Sequence, residues 1–130
     1  MKLEISRTYG VKELIDIVKN KADRDFDQNG KEKYIPENLY DIYIAENSEL
    51  TAGSMLYVGK CVDIDVNDNK IYPEEVMKNH LEFHYSCPNF QDVIDLAHSQ
   101  KSDAGVEDYV NCLNHYSEND DFLDLDNDGH

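Results

Sequence analysis

The sequence predicts an α+β fold in which a small, mainly antiparallel sheet of about three strands packs against about four helices. Three observations lead there. Some stretches alternate apolar and polar residues with a period of two and are rich in β-branched and aromatic side chains, as strands are. Others repeat their apolar residues every three or four positions, as amphipathic helices do. The resulting order is helix, strand, strand, short helix, strand, helix, helix, which suits an antiparallel sheet covered by helices on one side. At 130 residues the chain has room for one core, so residues 1–130 are read as a single domain with an acidic tail over about 117–130.

Taken in order, Val11, Leu14, Ile15 and Val18 define a helix over residues 10–20, with Glu13 early in it. Ala22 to Glu37 is polar and reaches the Pro36 breaker, so it reads as a long loop. Leu39 to Ala45 alternates Leu39, Asp41 and Tyr43 against Tyr40, Ile42 and Ile44, a strand that could form an exposed sheet edge available for pairing. Met55 to Val66 is the expected central strand. Its Leu56, Val58, Val62, Ile64 and Val66 would face the core, while Tyr57, Gly59, Cys61, Asp63 and Asp65 face away. Asn67 to Asn69 supplies a turn. Pro73 then opens a short helix, Glu74 to Asn79, with two acids in its first turn.

Leu81 to Cys87 predicts a third strand with Leu81, Phe83 and Tyr85 on one face and Glu82, His84 and Ser86 on the other. Asn89 is the expected cap of a helix whose Phe90, Val93, Ile94 and Ala97 form one apolar stripe. A last helix carries Val106, Tyr109, Val110 and Leu113, with Tyr116 one step beyond. Phe122, Leu123 and Leu125 are the groups that could fasten the tail.

The charge is lopsided. Twelve Lys and Arg against 28 Asp and Glu give −16, and residues 81–130 hold only Lys101 against 12 acids. Such a field repels phosphate backbones and anionic lipid, which disfavours direct binding to nucleic acid or a membrane surface and favours a basic protein partner. Acidity also serves solubility alone. Cys61, Cys87 and Cys112 are an odd number without a CxxC pair, and the N-terminus MKLEISRTYG has no apolar signal core. A cytoplasmic protein with reduced thiols is expected, and no run is long enough to span a membrane.

Motifs for chemistry are partial. Asp25 to Gly30 matches the opening of an EF-hand loop, but its twelfth position is Pro36 rather than a bidentate Glu. Asp124 to Gly129 repeats that opening, and Asp63, Asp65, Asn67 and Glu74 show the outer spacing without the glycine. His80, Glu82 and His84 could share a strand face and hold zinc, unless His80 closes the preceding helix. Cys61, Cys87 or Cys112 with His84, His98 or His115 are the possible nucleophile and base pairs, though Cys61 reads as strand packing. No phosphate loop, GxSxG elbow or HExxH is present, so no catalytic residue, cofactor or metal is assigned and the chain is not read as an enzyme.

The segments LYDIYIA, YVGKCVDID, PNFQDVIDLA and HYSENDDFLD together resemble an uncharacterised family of small bacterial domains over roughly residues 8–125. The insertion around Asp23 to Gly30 and the acidic tail after Asp124 depart from it. Such domains are similar to immunity proteins of bacterial toxin systems, including contact-dependent inhibition. The resemblance implies a non-enzymatic protein that binds and neutralises a cognate toxin domain, and the charge suits a basic nuclease as that toxin. The expected toxin-binding surface joins Glu107 and Asp108 on the last helix to Glu118, Asp120, Asp121, Asp124, Asp126 and Asp128, with Tyr116 and Phe122 as aromatic anchors. An acidic interaction or regulatory adaptor without a toxin partner is the alternative, and a metal-binding protein or metal-dependent enzyme is a third class. The toxin's identity and the oligomeric state lie beyond these residues.

Overall fold

Strand pairing begins earlier in the chain than the alternation signals. The computed structural model describes residues 3–123 and 125. Within them Arg7–Gly10 forms β1, which runs directly into α1 (Val11–Lys19). Four residues are too few for a period of two to stand out, so this strand is invisible without its partner. That partner is β3 (Met55–Gly59), which pairs Thr8 with Tyr57 and Tyr9 with Leu56. With β2 (Asp41–Ala45) and the later strand β6 (Leu81–Ser86), they make an antiparallel sheet of order β1-β3-β2-β6. The strand expected at an edge is therefore internal. Pairing on both sides explains why Ile42, Tyr43 and Ile44 are all buried.

The expected central strand is interior but ends at Gly59. A Cβ there would lie 2.7 Å from the Tyr57 ring and 3.2 Å from the Tyr43 ring, so glycine lets the two tyrosines close over the backbone. The departing chain is then tied down, since Tyr43 donates to the Lys60 carbonyl (2.7 Å) and the Asp41 carboxylate accepts from the Val62 amide (2.8 Å). Asp63–Ile64 (β4) and Lys70–Ile71 (β5) form a separate hairpin. Ile64 and Val66, expected in the core, are 61% and 99% exposed. Alternation does not distinguish one long strand from a strand followed by a hairpin.

Helices follow the apolar stripes closely. α2 (Glu74–Lys78) is short, as Pro73 suggests. α3 (Cys87–Gln100) starts two residues before the expected cap, because the Ser86 hydroxyl accepts from the Asn89 amide (3.4 Å) and Pro88 fits a first turn. α4 spans Val106–Asn119. The main core joins the buried stripes of α1, α3 and α4 to Tyr40, Ile42, Ile44, Leu56 and Val58, and Leu125 is buried beside it. Helices are not confined to one side, however. α2 packs on the opposite face, where Tyr57 donates to Glu75 (3.1 Å) and Val76 is buried outside that core.

A β-bulge decides the two faces of β6. Ile42 pairs with Tyr85 and the next residue, Tyr43, pairs with Phe83, so His84 is the extra residue. Tyr85 and Phe83 consequently point to opposite faces, contrary to the alternation. Tyr85 meets Phe90 and Tyr116 on the helical side (5.9 and 6.1 Å between ring centres), whereas Phe83 meets Tyr43 on the other (6.3 Å). His84 stays with Tyr85, ring against ring at 4.8 Å. Among the described residues, no helix is long and apolar enough to cross a membrane.

Replacing Gly59→Ala should cost about 1–3 kcal/mol, the usual range for overfilling a packed site. Urea unfolding checks this, and an unchanged midpoint would show that the tyrosines part without strain.

Candidate functional site

Much of the chain's chemistry-bearing inventory serves the fold. Asp23 is 2% exposed and accepts from Tyr40 Oη (2.7 Å), Gln91 Nε2 (2.7 Å) and Arg24 Nε (3.0 Å). The Arg24 guanidinium also reaches Asp95 (3.0 and 3.4 Å) and the Val18 carbonyl (3.0 Å). Burial disfavours the Arg24 charge, but hydrogen bonds to Asp95 and the charge of Asp23 more than offset it and raise its pKa. Burial, then the neighbouring Asp23 charge, pushes the Tyr40 hydroxyl up. The network pins the segment after α1 to α3. A cleft of about 340 Å³ beside it is lined by Asp23, Arg24, Glu32, Lys33 and Gln91, whose buried members already satisfy one another.

The calcium-like loops are hairpin turns. Asp27 Oδ1 accepts from the Asn29 and Lys31 amides (2.8 and 2.9 Å), with Gly30 at φ 79°. Asp65 Oδ1 accepts from Asn67 and Asn69 (2.8 and 2.9 Å), with Asp68 at φ 62°. Each aspartate thus spends one oxygen on two amides of its own turn, which explains the Asp-x-Asn spacing without an ion. The third such loop, Asp124 to Gly129, lies outside the described residues. His80 adopts a left-handed conformation (φ 55°) and closes α2, so it does not join Glu82 and His84 on β6. No group of three or more His, Cys, Asp or Glu among the described residues is placed to hold a metal.

The cysteines form no disulfide. Cys61 is exposed and follows the end of β3, which corrects its reading as strand packing. Burial of its sulfur and the charge of Asp41 push its thiol up to about 11, the wrong direction for a nucleophile.

The predicted binding residues divide into two groups. Glu107 and Asp108 open α4, and Asp108 caps it by accepting from the Gly105 amide (3.0 Å) and pairing with Lys101 (3.2 Å). The Gly105 amide and then Lys101 hold the Asp108 carboxyl below its usual range. Glu118, Asp120 and Asp121 sit at the far end of this 14-residue helix, about 20 Å away at 1.5 Å per residue. Asp120 ends the helix in a left-handed conformation, and Asp121 accepts from the Phe122 amide (2.8 Å). Asp124, Asp126 and Asp128 lie outside the described residues. No single cluster spans the set.

At the far end the anchors do meet. Tyr116 packs between Tyr85 and Phe122, at 6.1 and 5.0 Å between ring centres, and Phe122 is 41% exposed. The Tyr85 hydroxyl donates to the Leu113 carbonyl, so the inner ring of this ladder is fixed to α4. Beside it Ser48, Glu49, Leu50, His84, Asn114, Ser117 and Glu118 surround a pocket of about 210 Å³. Glu49 is not singled out by the sequence, and His84 is singled out there only as a possible zinc ligand or base, because only the bulge and the Asn114 bond to the Leu50 carbonyl (3.0 Å) bring them here. His84 Nε2 is buried without a hydrogen-bond partner among the described residues. Burial lowers the His84 pKa, against a smaller opposing effect of Glu82.

Two measurements check these roles. Asp23→Ala removes the acceptor of a buried network and should cost about 3 kcal/mol or more in urea unfolding; a loss under about 1 kcal/mol would show the network to be dispensable. His84 binds its proton more readily unfolded than folded, so stability should fall as pH drops below the unfolded imidazole value of about 6.5 and level off below the folded value. His84→Phe should flatten that limb, and an unaltered pH profile would remove His84 as its source.

No curated protein and no solved structure matches the chain. A family match covers residues 31–125, from the second arm of the Asp27 turn through α4, and leaves β1, α1 and Asp23 outside. By that match the chain belongs to the family described as Domain of unknown function (DUF7716).

Proposed function

We propose that this protein works by binding, as a non-enzymatic immunity protein that neutralises a cognate basic toxin domain, a nuclease, at the acidic end of α4. The observation that carries the reading is the ladder Tyr85, Tyr116, Phe122, which runs from the core to an exposed ring flanked in sequence by Glu118, Asp120 and Asp121. A ring held from beneath loses little freedom on binding, which is what a central anchor requires. The carboxylates around it contribute differently. They accelerate encounter with a cationic surface and reject wrong partners, while exposed pairs add little affinity each.

Nucleases carry positive charge where phosphates bind, and carboxylates presented by a protein of charge −16 would compete for that ground. An adaptor without a toxin partner would use the same surface. Genomic position separates the two, since a large toxin gene immediately upstream favours immunity.

Co-expression with the adjacent toxin domain should restore growth, and the pair should co-purify. Neutralising Glu118, Asp120 and Asp121 should slow association about tenfold at low salt and abolish most of its salt dependence. Phe122→Ala should instead speed dissociation by about 30-fold, near 2 kcal/mol. Stopped-flow kinetics separates the two effects, and rates indifferent to both changes would exclude this surface.

A further inference from the structure

The face of the sheet opposite the ladder carries a different kind of surface. There the bulge turns Phe83 into a groove of about 340 Å³, lined by Tyr72, Val76, Met77, Leu81 and Phe83 and bordered by Glu46 and by Glu82, which pairs with Ile44 and so faces the helical side of the strand. Val76 is buried, while Met77 and Phe83 are 67% and 42% exposed, an uncommon outlay of large apolar side chains in so acidic a chain. Among the described residues no cation lines the groove. Neither Glu46 nor Glu82 makes an ion pair or side-chain hydrogen bond among the described residues. β6 is also the terminal strand of the sheet, so its outer edge is unpaired among those residues.

These features select an occupant. A second copy of this chain would bring another −16 charge against unpaired carboxylates, which opposes self-association. Apolar walls beside acids suit a segment that alternates apolar and cationic side chains. An open strand edge suits one that arrives extended, and the bulge at His84 limits regular pairing to Leu81–Phe83, so the segment is short.

We infer that this groove binds a short extended segment of a basic protein, seating an apolar side chain against Met77 and Phe83, while its alternate Lys or Arg side chains meet Glu46 and, across the strand edge on the face shared with Ile44, Glu82. The inference does not rest on the immunity reading, because the ladder lies on the other face and either surface can function without the other.

The test is amide NMR on the full chain, titrated with an end-capped hexapeptide alternating lysine and leucine, and with lysine–serine and glutamate–leucine controls. The lysine–leucine peptide should shift residues 72–83 saturably, and neither control should. Met77→Lys, a change at an exposed site, should weaken that binding at least about tenfold, or 1.4 kcal/mol, while Phe122→Ala should leave it unchanged. Equal binding of the lysine–serine peptide, shifts elsewhere than 72–83, or indifference to Met77→Lys would overturn the inference. So would a concentration-dependent dimer without peptide that Met77→Lys abolishes, which would make a second copy the occupant.

Discussion

One extra residue in one strand organises this molecule. Without the bulge at His84, Phe83 and Tyr85 would share a face, and a single side of the sheet would have to accommodate both. With it, Tyr85 closes the main core against α3 and α4, and Phe83 joins Tyr43 beneath the region of α2. The cost is visible locally. His84 is carried onto the helical side with Tyr85, and its Nε2 is left buried without a partner among the described residues.

A chain with 28 acidic residues must decide which of them face water unpaired. Several do not. Asp23 is enclosed by three donors, Asp27 and Asp65 close their own turns, Asp41 holds the exit from β3, and Asp108 caps α4. Magnitudes separate these from the rest: a buried carboxylate stripped of its partners costs several kcal/mol, whereas a typical surface pair is worth under about 1 kcal/mol. The acids that remain exposed at the end of α4 and beside the α2 groove are therefore free to serve recognition at small cost to the fold.

The two surfaces differ in kind because they lie on different faces. On the helical side a single exposed ring rises from a stack anchored in the core. On the other side a recess has apolar walls that include the unbranched, adaptable Met77 side chain, and suits a side chain brought by the partner. Both combine apolar contact with negative charge. A basic protein is the common answer, reached through a protruding anchor in one case and a receiving groove in the other.

Composition and periodicity alone determined the α+β class, the four helices and their buried stripes, and the segments containing β2, β3 and β6, because burial imposes a repeat that short-range sequence retains. The charge and its lean toward the C-terminal half were equally legible. The calcium-like spacing was legible too, but its meaning was not, since the same Asp-x-Asn pattern serves an ion or a turn and only hydrogen-bond partners distinguish them. Tertiary structure decided that β1 exists, that β2 is interior, that β3 stops at Gly59 and that Phe83 and Tyr85 part company. Each of these depends on a neighbour distant in sequence: a pairing strand, a pair of tyrosine rings, a register shift across β2. It also divided the predicted acids between the two ends of α4, because a helix of that length places its first and last turns on different parts of the surface.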